Sequence, residues 1–121
     1  MNQTIRRISM LGAEPLAEPV RRALEPDNVT VVRANTVQQA VEAPVVLLDA
    51  DSPRPWQTAL QLILNANPSA RVVLISRLAD SRMWLQVLDR GAYDLLPNPA
   101  RLEEIRAVVR NAVCAAMRQA A

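Results

Sequence analysis

Neither histidine nor lysine occurs in the 121 residues; all fourteen basic side chains are arginine. The first absence excludes Ser–His–Asp catalysis, His-ligated metals and an imidazole proton shuttle. The second excludes Schiff-base chemistry and a P-loop lysine. Aromatic residues are nearly missing too: Trp56, Trp84 and Tyr93 are the whole set, so a chain that is half hydrophobic must build an aliphatic core. With only two glycines, Gly12 and Gly91, there is no glycine-rich phosphate loop, which argues against a flavin or nucleotide site. The single cysteine, Cys114, allows no internal disulfide and fits a reducing, cytoplasmic setting; among alanines on the last helix it reads as a packing residue. No charged segment leads into an apolar run near the start, so no signal peptide is expected. The longest uncharged stretch, residues 55–70, holds Gln, Asn and Pro and is too polar to span a bilayer. A net charge of +2, with scattered arginines and few aromatics between them, gives no footprint for nucleic acid. Membrane and nucleic acid are therefore not expected partners.

What is present is an alternation of apolar runs and amphipathic segments. "ISMLGA" (8–13) reads as a first strand. "PVRRALEP" (19–26) reads as a short helix, with Pro19 tolerated in its first turn and Pro26 stopping it. "VTVVR" (29–33) is rich in β-branched residues and reads as a second strand; "TVQQAVEA" (36–43) is a brief helix capped by Thr36. "VVLLD" (45–49) and "RVVLIS" (71–76) are continuous apolar runs, as expected of strands covered on both faces. Residues 55–67 have helical spacing, with a polar stripe of Gln57, Gln61 and Asn65. Residues 80–90 form a helix capped by Asp80 and ended by Gly91; "DLLP" (94–97) is a fifth strand. Residues 100–119 form a long last helix, with Leu102, Ile105, Val109, Ala112, Val113 and Ala116 on its inner face. Strands alternating with helices over this length predict a single α/β domain, residues 1–121. The expected architecture is a flavodoxin-like, doubly wound, five-stranded parallel sheet of order 2-1-3-4-5 with helices on both faces.

In such a sheet a site lies outside the carboxyl ends of the strands, near the switch point between strands 1 and 3. The residues delivered there are Gly12, Ala13 and Glu14, then Asp49 and Asp51, then Ser76 and Arg77, and finally Pro97, Asn98 and Pro99.

These residues carry a resemblance. "VVLLDADSP" is similar to the phosphoacceptor strand and loop of bacterial response-regulator receiver domains, with Asp49 in the acceptor place and Pro53 four residues on. "NPSARVVLIS" resembles the segment ending in that family's switch Ser/Thr, here Ser76, and "RGAYDLLPNPARLEEIRAVV" resembles its final strand and helix. The resemblance covers nearly the whole chain and is weakest around the short second helix. It implies a cis peptide bond between Asn98 and Pro99. It also exposes departures. The acidic pair that helps hold Mg²⁺ after strand 1 is replaced by Gly12 and Ala13, leaving Glu14 as a single acid one residue on. The lysine after strand 5 is replaced by Asn98, which can donate hydrogen bonds but carries no charge. Arg77 stands where a small residue is usual.

The expectation is therefore an atypical receiver in two-component phosphorelay signalling, not an enzyme. It would be a protein-interaction module with a degraded pocket made of Asp49, Glu14, Asp51, Ser76, Arg77 and Asn98. Asp51 is expected to turn its loop, Glu14 to start the first helix, Ser76 either to end its strand or to bond a phosphoryl oxygen, and Arg77 to be exposed. Cofactors are none, or Mg²⁺ held weakly by Asp49 and Glu14. The expected partners are a sensor kinase or an output module, with a homodimer through the fourth and fifth helices. On the fourth helix Trp84, Leu85 and Leu88 read as the core stripe, and Met83 and Val87 as either a wider core or an exposed patch; the resemblance favours the second and makes them the candidate partner surface. The rivals are an ordinary phosphoacceptor modified on Asp49 by a sensor histidine kinase, a small α/β enzyme, and a nucleotide- or flavin-binding module.

Overall fold

The computed structural model describes residues 7–12, 14–51 and 55–120. Five strands, β1 (Arg7–Leu11), β2 (Thr30–Ala34), β3 (Val45–Asp49), β4 (Arg71–Ser76) and β5 (Asp94–Pro97), alternate with five helices, α1 (Glu14–Leu24), α2 (Val37–Ala40), α3 (Trp56–Ala66), α4 (Ser81–Asp89) and α5 (Leu102–Ala120). All strand pairs are parallel and the order is β2-β1-β3-β4-β5, the flavodoxin-like arrangement the alternation predicts.

Successive strand residues point to opposite faces, so each strand feeds two cores. Val45 and Leu47 of β3, with Ile8, Met10, Val73 and Ile75, pack under α1 and α5, against Val20, Leu24, Ile105 and Val109. Val46 and Leu48, with Val72 and Leu74, pack on the other face under α2, α3 and α4, against Ala40, Leu60, Ile63 and Val87. Every residue of β3 is buried, which explains why its sequence shows no polar alternation.

The helix ends follow their capping chemistry. Thr36 accepts a hydrogen bond from the Gln39 amide at 3.1 Å, and Asp80 accepts one from the Met83 amide at 2.8 Å. Gly91 follows α4 with φ +95°, a left-handed conformation that favours glycine. Between α1 and α5, Arg110 makes two 2.6 Å hydrogen bonds to the Asp27 carboxylate, and Arg106 donates to the Ala23 carbonyl at 2.9 Å.

Three expectations need correction. The first helix begins at Glu14, five residues before Pro19, and ends at Leu24; Pro26 lies in the 3₁₀ turn Glu25–Asp27 that follows. Pro19 is inside the helix. Its missing N–H forgoes only a bond to the carbonyl of Pro15 in the first turn, while Ala17, Val20, Ala23 and Leu24 bury an apolar stripe that holds the segment helical. The second correction concerns α4. Val87 is fully buried and Met83 packs against the same core, whereas Trp84 and Leu85 are exposed. Met83 and Val87 are thus core residues, not a partner surface. Burying a valine contributes about 1.5–3 kcal/mol, and the Trp84 indole is better placed outside, where its N–H donates to Asp94 Oδ1 at 3.0 Å. Third, Cys114 is exposed on α5 and does not pack in the core.

Candidate functional site

The carboxyl ends of β1, β3 and β4 bring Gly12, Asp49 and Ser76 to one edge, as the strand-end rule anticipates. Asp49 is the last residue of β3 and is 7% exposed. The Ala50 amide donates to the Ile75 carbonyl at 2.9 Å, which carries the β3–β4 pairing one residue past the acid and fixes its height at the sheet edge. The Asp49 carboxylate accepts the Asp51 amide at 2.9 Å.

On the β1 flank the backbone itself closes on Asp49. A Cβ added at Gly12 would lie 2.3 Å from the Asp49 Cβ, far inside the roughly 3.5–4 Å at which carbon atoms rest. Glycine is needed there because no side chain fits between β1 and the acid. The Gly12 carbonyl accepts Arg33 Nε at 3.0 Å. Arg33 also pairs with Glu14 at 3.1 Å, and Glu14 pairs with Arg21 at 3.3 Å. Glu14 therefore starts α1, as expected, with its carboxylate occupied by two arginines.

On the β4 flank the arrangement is different. Ser76 is 2% exposed, and its hydroxyl donates to Asp51 Oδ1 at 2.8 Å. The Arg77 amide donates to Asp51 Oδ2 at 2.7 Å, and the Arg77 Nε lies 3.5 Å from the same oxygen, although 74% of that side chain is exposed. Ser76 Oγ also accepts the Leu78 amide at 3.0 Å, and the Ser76 carbonyl accepts the Asn98 amide at 3.0 Å. The Asn98–Pro99 peptide bond is cis, as the resemblance implied. Ala13 and Pro53 lie outside the described residues.

A cavity of about 560 Å³ opens beside Asp49, between the ends of β1–β3 and helices α2 and α3, lined by Gly12, Arg33, Thr36, Asp49, Asp51, Thr58 and Leu62 among others. Sequence reasoning missed Arg33, and it placed Asp51 in the pocket as a turn residue without finding its bonds to Ser76 and Arg77. The first was findable, because Arg33 ends the second apolar run at the same edge. The second was not, because its partners are 25 and 26 residues away.

The donor set for Mg²⁺ is poor. That ion is held by one or two carboxylates with waters and phosphate in near-octahedral geometry. Here Glu14 is taken by Arg21 and Arg33, and Asp51 by Ser76 and Arg77. Among the described residues no group of three or more acidic or cysteine side chains converges to hold a metal. The residues described do not fit a receiver-type Mg²⁺ site.

No protein-family model matches the chain, and no curated protein sequence does either. Solved structures do match. The beryllofluoride-activated NtrC4 receiver domain dimer is 19% identical, with a TM-score of 0.79 over 93% of this chain and 99% of that one. A response regulator from Thermotoga maritima is 20% identical, with a TM-score of 0.79 over 93% and 99%. The receiver domain of NtrX from Brucella abortus is 22% identical, with a TM-score of 0.74 over 88% and 97%. At these identities the likeness is one of fold, and this chain has the receiver-domain fold. Among the described residues no helix is long and apolar enough to cross a membrane.

Proposed function

We propose that the chain is a cytoplasmic receiver-type module of two-component signalling that works by binding a protein partner and accepts phosphate at Asp49 poorly or not at all. The observation that carries this reading is the state of the acids around Asp49. A phosphoryl group brings roughly −1.5 to −2 charges near neutral pH, and they need cations to offset them. The acids that could recruit one are engaged elsewhere, Gly12 after β1 brings no side chain, and neutral Asn98 follows β5. Loss of one such electrostatic donor often costs about a hundredfold or more in rate. With neither His nor Lys in the sequence, the pocket offers no imidazole base and no covalent amine, which favours a binding role over turnover.

The partner contact is expected on the α4 side, where Leu78, Trp84 and Leu85 are exposed. A second copy of the chain, meeting through α4 and α5, is the first partner to test, because the NtrC4 relative is a dimer. Light scattering of the full chain against Leu85→Glu is the check: a dimer that loses its mass in the variant supports this surface, and an unchanged dimer removes it.

Intact-mass spectrometry after incubation with acetyl phosphate and Mg²⁺ tests the main reading, with Asp49→Asn as control. Little or no added mass is expected. A rapid, near-complete gain of one phosphoryl group that disappears in Asp49→Asn would establish the competing reading, an ordinary phosphoacceptor served by a sensor histidine kinase.

A further inference from the structure

The end of β4 is an anion seat that already holds an anion. A hydroxyl from Ser76, a backbone amide from Arg77 and the Arg77 guanidinium converge on one carboxylate, at 2.8, 2.7 and 3.5 Å. Donors of these three kinds, one of them cationic, are what proteins assemble around phosphate or sulfate, and charge-assisted bonds of this sort are the strong ones. The carboxylate is Asp51, whose side chain is only 15% exposed. Asp51 is also tied back to Asp49 by its own amide, at 2.9 Å. Through Ser76 the seat reaches two more loops: Ser76 Oγ accepts the Leu78 amide at 3.0 Å, and the Ser76 carbonyl accepts the amides of Ala79 at 3.4 Å and Asn98 at 3.0 Å.

We propose that Asp51 is a built-in anion that occupies the oxyanion seat at the end of β4. It holds the β4–α4 and β5–α5 loops in the arrangement that a phosphoryl group on Asp49 would otherwise have to impose. Ser76 and the Arg77 amide cannot serve a phosphoryl oxygen without releasing Asp51. The loop that leads into α4, and with it the exposed Leu78, Trp84 and Leu85, is thus set without any modification. Removing the carboxylate should do two things at once: loosen that loop, and leave an empty seat for a free tetrahedral oxyanion. The idea deepens the reading given above, a module that does not depend on phosphorylation, and rests on it.

The test uses the ¹⁵N-labelled full chain as wild type, Asp51→Ala and Asp51→Asn, and no phosphodonor. In Asp51→Ala the Arg77 amide should exchange with solvent about tenfold faster or more, the consequence of losing a hydrogen bond to a charged acceptor. Asp51→Asn, which keeps one acceptor oxygen and no charge, should fall between. Millimolar inorganic phosphate should shift the Ser76 and Arg77 resonances of Asp51→Ala and slow the Arg77 exchange again, and should leave those of the wild type in place. Equal Arg77 protection in all three proteins, or phosphate shifts in the wild type as large as in the variant, would overturn the proposal. If Asp51→Ala does not fold, Asp51→Asn is read by the same criteria. Because nothing is phosphorylated, failure here leaves the poor-acceptor reading standing, and a mass gain in the acetyl phosphate experiment leaves this one to its own outcome.

Discussion

The two flanks of Asp49 are opposites. On the β1 side a side chain is missing: a Cβ on Gly12 would meet the Asp49 Cβ, Arg33 is bonded to the Gly12 carbonyl, and the cavity opens beside the acid. On the β4 side a side chain has been drawn in, and Asp51 satisfies every donor the strand end presents to it, Ser76 Oγ and the Arg77 amide among them. One flank gives up the acid that would help hold a cation, and the other gives its donors to a carboxylate. The difference teaches that the pocket is not simply eroded. Erosion would leave orphaned donors; here the β4 donors are bonded.

The largest effect should come from forcing a side chain onto Gly12. Gly12→Asp puts an acid back after β1, but its Cβ would collide with the Asp49 Cβ, so a loss of about 3 kcal/mol is expected from overpacking. Urea denaturation measures it, and millimolar Mg²⁺ should not restore the loss. A stable Gly12→Asp protein that gains stability with Mg²⁺ would mean the β1 flank opens readily and the contrast is false.

A smaller effect should appear on emptying the occupied flank. In Asp51→Ala the Ser76 hydroxyl and the Arg77 amide become available to a phosphoryl oxygen. Acetyl phosphate labelling of Asp49 should then rise by about tenfold over the wild type and remain slow, because donors of this kind are worth a factor of ten or more but the cation side is unchanged. Labelling that is equal to or below the wild type would say that the β4 flank does not limit the reaction.

The smallest effect should lie away from both flanks and serves as their control. The hydrogen bonds from Arg110 hold the Asp27 carboxyl below its ordinary value of 3.8, against an opposing push from burial. A depressed folded-state pKa contributes stability that is present above the ordinary value and is lost as pH falls through the folded value. Asp27→Asn should therefore be slightly less stable than the wild type near neutral pH and equal to it once pH is below the folded-state value, so its stability depends less on pH through the acid range, with no change in the exchange of the Arg77 amide. Thermal melts across the acid range would show it.

How much of this was legible in the sequence depends on the range of the interactions. The bounds of β3, β4 and β5 coincide with the apolar runs 45–49, 71–76 and 94–97, because strands buried on both faces write themselves as unbroken hydrophobic segments. The caps at Thr36 and Asp80 are likewise local. The phase of α4 was not legible. Met83, Trp84, Leu85, Val87 and Leu88 surround a nine-residue helix on most of its faces, so periodicity cannot say which pair turns inward. Only packing against α3 and the sheet decides that. Proline misled the reading of α1, because Pro19 looked like a start and is an interior residue. At the site, the edge that collects Asp49, Ser76 and Asn98 followed from topology alone. What Asp51 and Gly12 do there did not, since a carboxylate bonded 25 residues away and a backbone pressed on a side chain leave no local trace.

The bond between the Trp84 indole and Asp94 gives the molecule an optical gauge. Trp84 rides on α4, immediately after the loop that Asp51 holds, and its N–H is anchored on β5 at 3.0 Å. Any slide of α4 against the sheet must stretch that tether and wet an indole already 44% exposed, which reddens and dims its emission. The only other tryptophan, Trp56, sits on α3 with the Arg90 guanidinium 5.8 Å from its ring. Trp56→Phe would leave Trp84 as the sole indole, so that ordinary fluorescence reports a movement of α4 with no dye attached.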